Sequence, residues 1–335
     1  MSTPNLRDSA GGVELHGGTG DILHMVGLKN FLEVYKTDTT FRIQTPQTVD
    51  PQNTNPNAPW VVTRIDGVGA SSFAVARGFL QGHNMLQQDA FVHELDKDTT
   101  LNQLHACKEQ LVICEQTATR VAGRIEEIIS RIQTSGISRD NHGRALNPFP
   151  QVQDLVADTT VFLIHAKRTI TEVTALVAAT IGIQVQGANF LTLGKRLLAQ
   201  FGADATLAKY IQEQEPTVKY LVDLRNLQEH PKEVHAIHTI VNDFHVLPDG
   251  SISPPVLHLS NQEPQSLHEH LRAAAGYLVR LTEAVFIHAI MSRLAGTFPF
   301  YVEEIEEGAV NAQCPIKYRL SIDLSALPFA HEGGG

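Results

Sequence analysis

Arg225, Asn226 and His230 stand close together near the end of the run Tyr220-Leu221-Val222-Asp223-Leu224-Arg225-Asn226-Leu227-Gln228-Glu229-His230-Pro231. A guanidinium, an amide and an imidazole at this spacing suit work on a phosphodiester. The guanidinium holds anionic oxygens, and the imidazole moves protons near neutral pH. Leu221, Leu224 and Leu227 recur every third residue, as buried positions on a helix do. Pro231 ends that helix, because its ring cannot continue the hydrogen-bond ladder. The polar residues therefore fall in the last turn, at the negative end of the helix dipole, which favours a protonated His230.

Helical geometry limits what one copy can do. Five residues turn roughly 500°, so Arg225 and His230 point about 140° apart. Two copies related by a two-fold axis would bring them to one phosphate. Asn226 and His230 are four apart and share a face, so the amide can orient the imidazole. The same spacing has a plainer use. Arg225 and Glu229 are also four apart and suit a surface ion pair of about 0.3 kcal/mol, with His230 capping the helix end. The chain has 16 His and as many Arg, so an Arg–His pair five apart is expected about once by chance. The information lies in the Asn directly after the Arg and in the helical end.

Arg225-Asn226-x-x-x-His230 resembles the signature of the HEPN superfamily. The resemblance covers about residues 98–295 by helix layout and six residues by motif. It implies a helical bundle, commonly a homodimer, and in many members a metal-independent endoribonuclease of defence or toxin–antitoxin systems. Arg225, Asn226 and His230 would then be the active-site residues, RNA the substrate, and a protein partner or antitoxin a further ligand, with no cofactor. Some members are non-catalytic, which leaves an interaction module as the second reading.

Composition bounds these readings. At 335 residues, with 42% hydrophobic and 19% charged, the chain can bury a sizeable core and fits a globular protein. A net charge of −10 argues against a broad basic surface for nucleic acid, though not against a small basic pocket. Cys107, Cys114 and Cys314 form no disulfide framework. The N-terminus has no basic region followed by an apolar run, so no secretory leader is expected. No run of about 18 apolar residues predicts a membrane span, and a cytoplasmic protein is expected.

The elements that must position the motif read as follows. Residues 22–34 suit a short helix. Runs 39–44 and 60–65 are β-branched and aromatic and read as strands, joined by a Pro/Asn-rich extended loop, 46–59, that suits a partner contact or a surface strap. Residues 72–88 suit another helix. Leu101, Leu104, Leu111, Cys114, Ala118, Val121, Ile125, Ile128 and Ile132 form one apolar seam, broken only at Lys108. Asp98 or Thr99 suits its N-cap. Leu155, Thr159, Phe162, Ala166, Ile170, Val173, Val177 and Ile181 mark a second stripe. A shorter helix suits 190–201, and the motif helix suits 204–230. Alternating runs 234–247 and 251–259 around Pro248-Asp249-Gly250 read as a hairpin. A further helix suits 266–294, and strand-like runs suit 300–305 and 316–324. The expected fold is mainly α, a four-helix up-and-down bundle with short β-hairpin insertions and a mixed N-terminal segment. Its parts would be 1–97, a bundle over 98–299, and a β tail over 300–335.

Other chemistry reads weakly. The glycines of residues 11–20 lack the Lys-Ser/Thr and the strand–helix context of a phosphate loop. Seven histidines crowd 230–270, but His268 and His270 diverge by about 200° on a helix, and no Cys or Asp joins His235 and His238 at a zinc-like spacing. No metal site is expected. There is no Gly-x-Ser-x-Gly turn, and the glutamates of 303–307 read as a solvated run.

Overall fold

The computed structural model describes residues 7, 12–140, 142–184, 189–202, 205–229, 237–296 and 298–326. Strands β1 (His24–Leu28), β2 (Phe31–Tyr35) and β3 (Thr39–Gln44) come first, then a single turn α1 (Pro46–Val49) and β4 (Val61–Asp66). Next is α2 (Phe73–Val75), which runs through a π-helical stretch, Ala76–Leu80, into α3 (Gln81–Leu86). Four long helices follow, α4 (Lys97–Ser135), α5 (Leu155–Ile181), α6 (Phe190–Phe201) and α7 (Thr206–Glu229). Short strands β5 (Thr239–Asn242), β6 (His245–Val246), β7 (Ile252–Ser253), β8 (Val256–Leu259) and β9 (Gln265–Ser266) lead to α8 (Leu267–Met291) and to β10 (Phe300–Glu304) and β11 (Tyr318–Ile322).

The chain divides into two compact units. One comprises residues 1–108, 176–184 and 286–335, the other 109–175 and 185–285. In the first, β1 to β4 form an antiparallel sheet in sequence order. Val34, Phe41 and Ile43 make its core, with Val13, Leu15 and Leu32 against them. Gly69 is required where the chain leaves this sheet. A Cβ there would lie 2.4 Å from the carbonyl oxygen of Lys36, the same oxygen that accepts from the Ala70 N–H at 2.8 Å. The β10–β11 hairpin is tied to α3 through Gln81, whose Oε1 accepts from the backbone N–H of both Lys317 and Tyr318 at 2.8 Å.

In the second unit, buried Leu111, Cys114, Ala118, Val121 and Ile125 of α4 share the core with Leu155, Phe162, Ala166 and Ile170 of α5. Asp158 accepts from Arg120 at 2.9 Å and from Arg124. On α6, Gly194 lets α7 approach closely; a Cβ would sit 3.1 Å from Glu215 Oε1. Strands β5, β8 and β9 form one small sheet and β6 and β7 another, around the turn at Gly250.

The expected fold class is therefore corrected. About 50% of the described chain is helical, but 17% is strand in four antiparallel sheets, so the protein is mixed α/β rather than mainly a four-helix bundle with β insertions. The sheets are not decoration, because Tyr35 and Phe41 of the first sheet are among the largest fully buried side chains. The helix expected at 22–34 is the β1–β2 hairpin. Leu28 pairs with Phe31, and only Lys29 and Asn30 are left to make the turn. Apolar residues at Ile22, Met25 and Val26 mimic a helical face, but pairing with β2 and β3 outweighs that local pattern. The 46–59 loop contains one helical turn, capped where Thr48 N–H reaches Thr45 Oγ1 at 3.3 Å. The cap of α4 is Asp96, which accepts from Thr99 N–H at 2.9 Å, in place of Asp98 or Thr99. His230, Pro231, His235, Gly11 and the tail from His331 lie outside the described residues.

Candidate functional site

Helix α7 carries Arg225 and Asn226. Leu207, Ala208, Ile211, Val218, Leu221 and Leu224 are its buried face, and Pro216 sits inside it without ending it. Leu227 is only half-buried, so the inward face fades as the motif begins. Thr239 Oγ1 at the start of β5 donates to the carbonyl of Leu224 at 2.7 Å, and Gln228 Nε2 donates to Thr160 Oγ1 of α5 at 2.8 Å. These bonds fix the helix end against its neighbours, so Arg225 and Asn226 project from a held turn.

Asn226 is the centre of the contacts there. Its Oδ1 accepts from Lys167 Nζ of α5 at 2.9 Å and from Arg225 Nη1 at 3.3 Å. Arg225 Nη2 also pairs with Glu229 Oε2 at 2.5 Å, with the arginine side chain 21% exposed. The plainer use of the spacing, an Arg225–Glu229 ion pair, is thus present. Arg225 and Asn226 are brought together, while His230, which completes the motif in sequence, lies outside the described residues. Asn226 opens onto a groove of about 430 Å³ between α5, α6 and α7. Lys167, Lys219 and Asn189 give it polar walls, and Ile170, Phe190 and Val222 give it apolar ones. Lys219 Nζ is held by Asp223 Oδ2 at 2.5 Å. Among the described residues Lys167 meets a neutral amide and no carboxylate, so its charge faces the groove.

Reading the motif alone misses Lys167. Lys167 lies 59 residues before Asn226, and no spacing in the sequence links the two.

A second polar cluster, in the first unit, was also unforeseen. Glu33 on β2 is fully buried. Its Oε2 accepts from Lys108 Nζ at 2.7 Å and from the Tyr35 hydroxyl. Its Oε1 accepts from Arg42 Nη2 at 2.7 Å and from His105 Nε2 at 3.1 Å. Glu33 and Arg42 are direct partners across β2 and β3. His105 is wedged between the rings of Phe31 and Phe79, each 5.5 Å away. Burial alone would raise the Glu33 carboxyl, but the His105 hydrogen bond and the charge and hydrogen bond of Lys108 outweigh it and hold it far below the usual carboxylate range. The break in the α4 seam at Lys108 was the available sign, because a lysine left only 3% exposed must meet a counter-charge. Ligand atoms of Glu33, His105 and Glu109 lie within 4.8 Å of one another, but Lys108 and Arg42 already pair with Glu33 and would repel a second cation.

Comparison with family models, with curated proteins and with solved structures found no match to this chain.

Proposed function

We propose that the protein is an endoribonuclease of HEPN type, in which Arg225, Asn226 and Lys167 hold the scissile phosphate and His230 moves protons. One observation carries the reading: two cations, Lys167 and Arg225, converge on the single Oδ1 of Asn226 beside an open groove. A phosphate oxygen is an acceptor of the same kind with a full charge, and it draws both cations more strongly than an amide does. The apolar side of the groove suits the face of a base.

In this reading His230 takes the proton of the 2′-hydroxyl as the 2′-oxygen attacks phosphorus. The P–O5′ bond breaks as the protonated His230 of the second copy gives the 5′-oxygen its proton, leaving a 2′,3′-cyclic phosphate and a 5′-hydroxyl. Arg225 and Lys167 offset the charge that builds on the non-bridging oxygens. Five residues apart in a helical register, Arg225 and His230 would point about 140° apart, so the complete site would draw on two copies of the chain. No metal step enters.

The test is incubation of the purified protein with end-labelled RNA in EDTA. Products ending in 2′,3′-cyclic phosphate are expected. Arg225→Ala and His230→Ala should fold normally and lose about 10²- to 10⁴-fold in cleavage rate. Cleavage that both variants retain would sink the proposal. The Arg225–Glu229 pair favours a second reading, a non-catalytic interaction module in which the arginine is already matched. RNA left intact at every protein concentration would support that module.

A further inference from the structure

Cys314 and His24 lie together in a cleft that the groove chemistry does not use. Cys314 Sγ is 3.5 Å from His24 Nε2, and both line a cleft of about 360 Å³ in the first unit. We propose that this cleft is a second active site, in which Cys314 is a nucleophile and His24 its general base, acting on small uncharged acyl esters.

The pair is held from both sides. His24 sits in β1 opposite Tyr35, and the neighbouring Leu23 N–H bonds to the Tyr35 carbonyl at 2.8 Å. Cys314 lies on the β10–β11 loop, where its N–H donates to the Asn311 carbonyl at 3.0 Å. Asn311 Oδ1 accepts from Gln313 N–H at 2.9 Å, and the Gln81 clamp on Lys317 and Tyr318 fixes the far end of the loop. A nucleophile and a base placed on held elements meet the geometric requirement for activation.

Burial pushes the Cys314 thiol up to about 11 and lowers the His24 imidazole. At neutral pH both are uncharged. With the His24 proton on Nδ1, the thiol donates to Nε2. Activation is then of the hydroxyl kind, with the proton moving during attack rather than from a resting thiolate.

The substrate class follows from the walls. Asn84, Gln88 and Asn311 offer amides, while Met85, Ile305 and Val310 offer apolar surface. Arg319 at the same cleft is paired with Glu303 at 2.8 Å, so no charge is left for an anionic acyl group. In the first half-reaction Sγ bonds to the carbonyl carbon as Nε2 takes the thiol proton. The ester C–O bond breaks, and the alcohol leaves with that proton. In the second, water attacks the thioester, Nε2 takes its proton, and the C–S bond breaks to return the thiol and release the acid. The amide N–H groups of Asn84 and Gln88 are the side-chain donors at hand for the carbonyl oxygen.

The probe is p-nitrophenyl acetate with the full chain. A burst of p-nitrophenol is expected, and mass mapping of the quenched unaltered protein should place one acetyl group on Cys314. His24→Gln should slow acetylation about 100-fold or more, and Cys314→Ser should abolish the thioester. Acetyl found on Cys107, Cys114 or lysines instead, or an unchanged rate in His24→Gln with a native melting curve, would overturn the proposal. The mapping uses no variant, so a misfolded mutant cannot hide the answer.

Discussion

Glu33 and Asn226 both gather cations, and the contrast between them separates structure from binding. At Glu33 a fully buried carboxylate has both oxygens filled, by Lys108 and Tyr35 on one and by Arg42 and His105 on the other. Any ligand would have to replace partners that already satisfy the charge, and desolvation makes each loss costly. At Asn226 a neutral, half-buried oxygen receives Lys167 and Arg225 at the edge of a groove. There Arg225 is matched by Glu229, while Lys167 meets only the amide. A saturated buried ion organises a fold, whereas a half-buried cluster with one cation lacking a carboxylate partner among the described residues leaves room for the anion that the proposed function requires.

The comparison breaks first at Lys108. Lys108→Met leaves the Glu33 carboxylate buried with a partner missing, and should destabilise the protein by about 3–5 kcal/mol. Lys167→Met, on the groove, should change stability by about 0.5 kcal/mol or less. Urea denaturation of both variants checks the pair of values. Similar losses would end the distinction between the two regions. Acid sharpens it. The Glu33 carboxyl lies below its ordinary 4.5 when folded, so its stabilising effect is full above that pH and fades as pH falls below it. In that window the unfolded chain binds a proton that the folded chain does not. The wild type should therefore lose about 1.4 kcal/mol per pH unit more than Glu33→Gln does. Asp38 and Asp50 are also held low, to about 2, by their hydrogen bonds. They contribute equally to both proteins, and the difference isolates Glu33. Parallel pH curves would remove the charge from the account.

What the sequence made legible follows from which forces are local. All eight stripe positions of α5, from Leu155 to Ile181, are buried, because a periodic apolar face on a long helix has one way to hide. The hairpin around Gly250 was legible for a similar reason, since an Asp-Gly turn fixes its own geometry. The first sheet was half legible: the β3 and β4 runs matched, while β1 and β2 read as a helix because their partner strands are what make them strands. Of the Glu33 cluster only the break in the α4 seam at Lys108 was legible. The cluster joins positions 33, 35, 42, 105 and 108, and strand register together with one turn of α4 decides that they meet. At the groove, Arg225 and Asn226 could be picked out from their spacing, but Lys167 lies 59 residues away and enters only through packing.

Removing Lys167 should weaken RNA binding more than it weakens the fold. Lys167→Ala is expected to reduce affinity for single-stranded RNA by about tenfold, roughly one charge-assisted contact. It should also lower the slope of log K against log salt by about 1. Fluorescence anisotropy across a salt series gives both numbers. A lower affinity with an unchanged slope would mean that the lysine shapes the groove without touching phosphate.

The finest distinction rests on Glu229. As a partly exposed partner four residues from Arg225, it should add only about 0.3–0.5 kcal/mol to stability. Glu229→Gln should therefore melt close to the wild type while leaving Arg225 free to face an anion, so RNA affinity should rise. Both outcomes are needed. A small stability change with tighter RNA binding places Arg225 in the phosphate-holding group. A loss above about 2 kcal/mol, or RNA affinity that falls, makes the Arg225–Glu229 pair a structural clasp. The convergence of cations on Asn226 would then have the same origin as the one on Glu33, in the packing of helices rather than in the capture of a ligand.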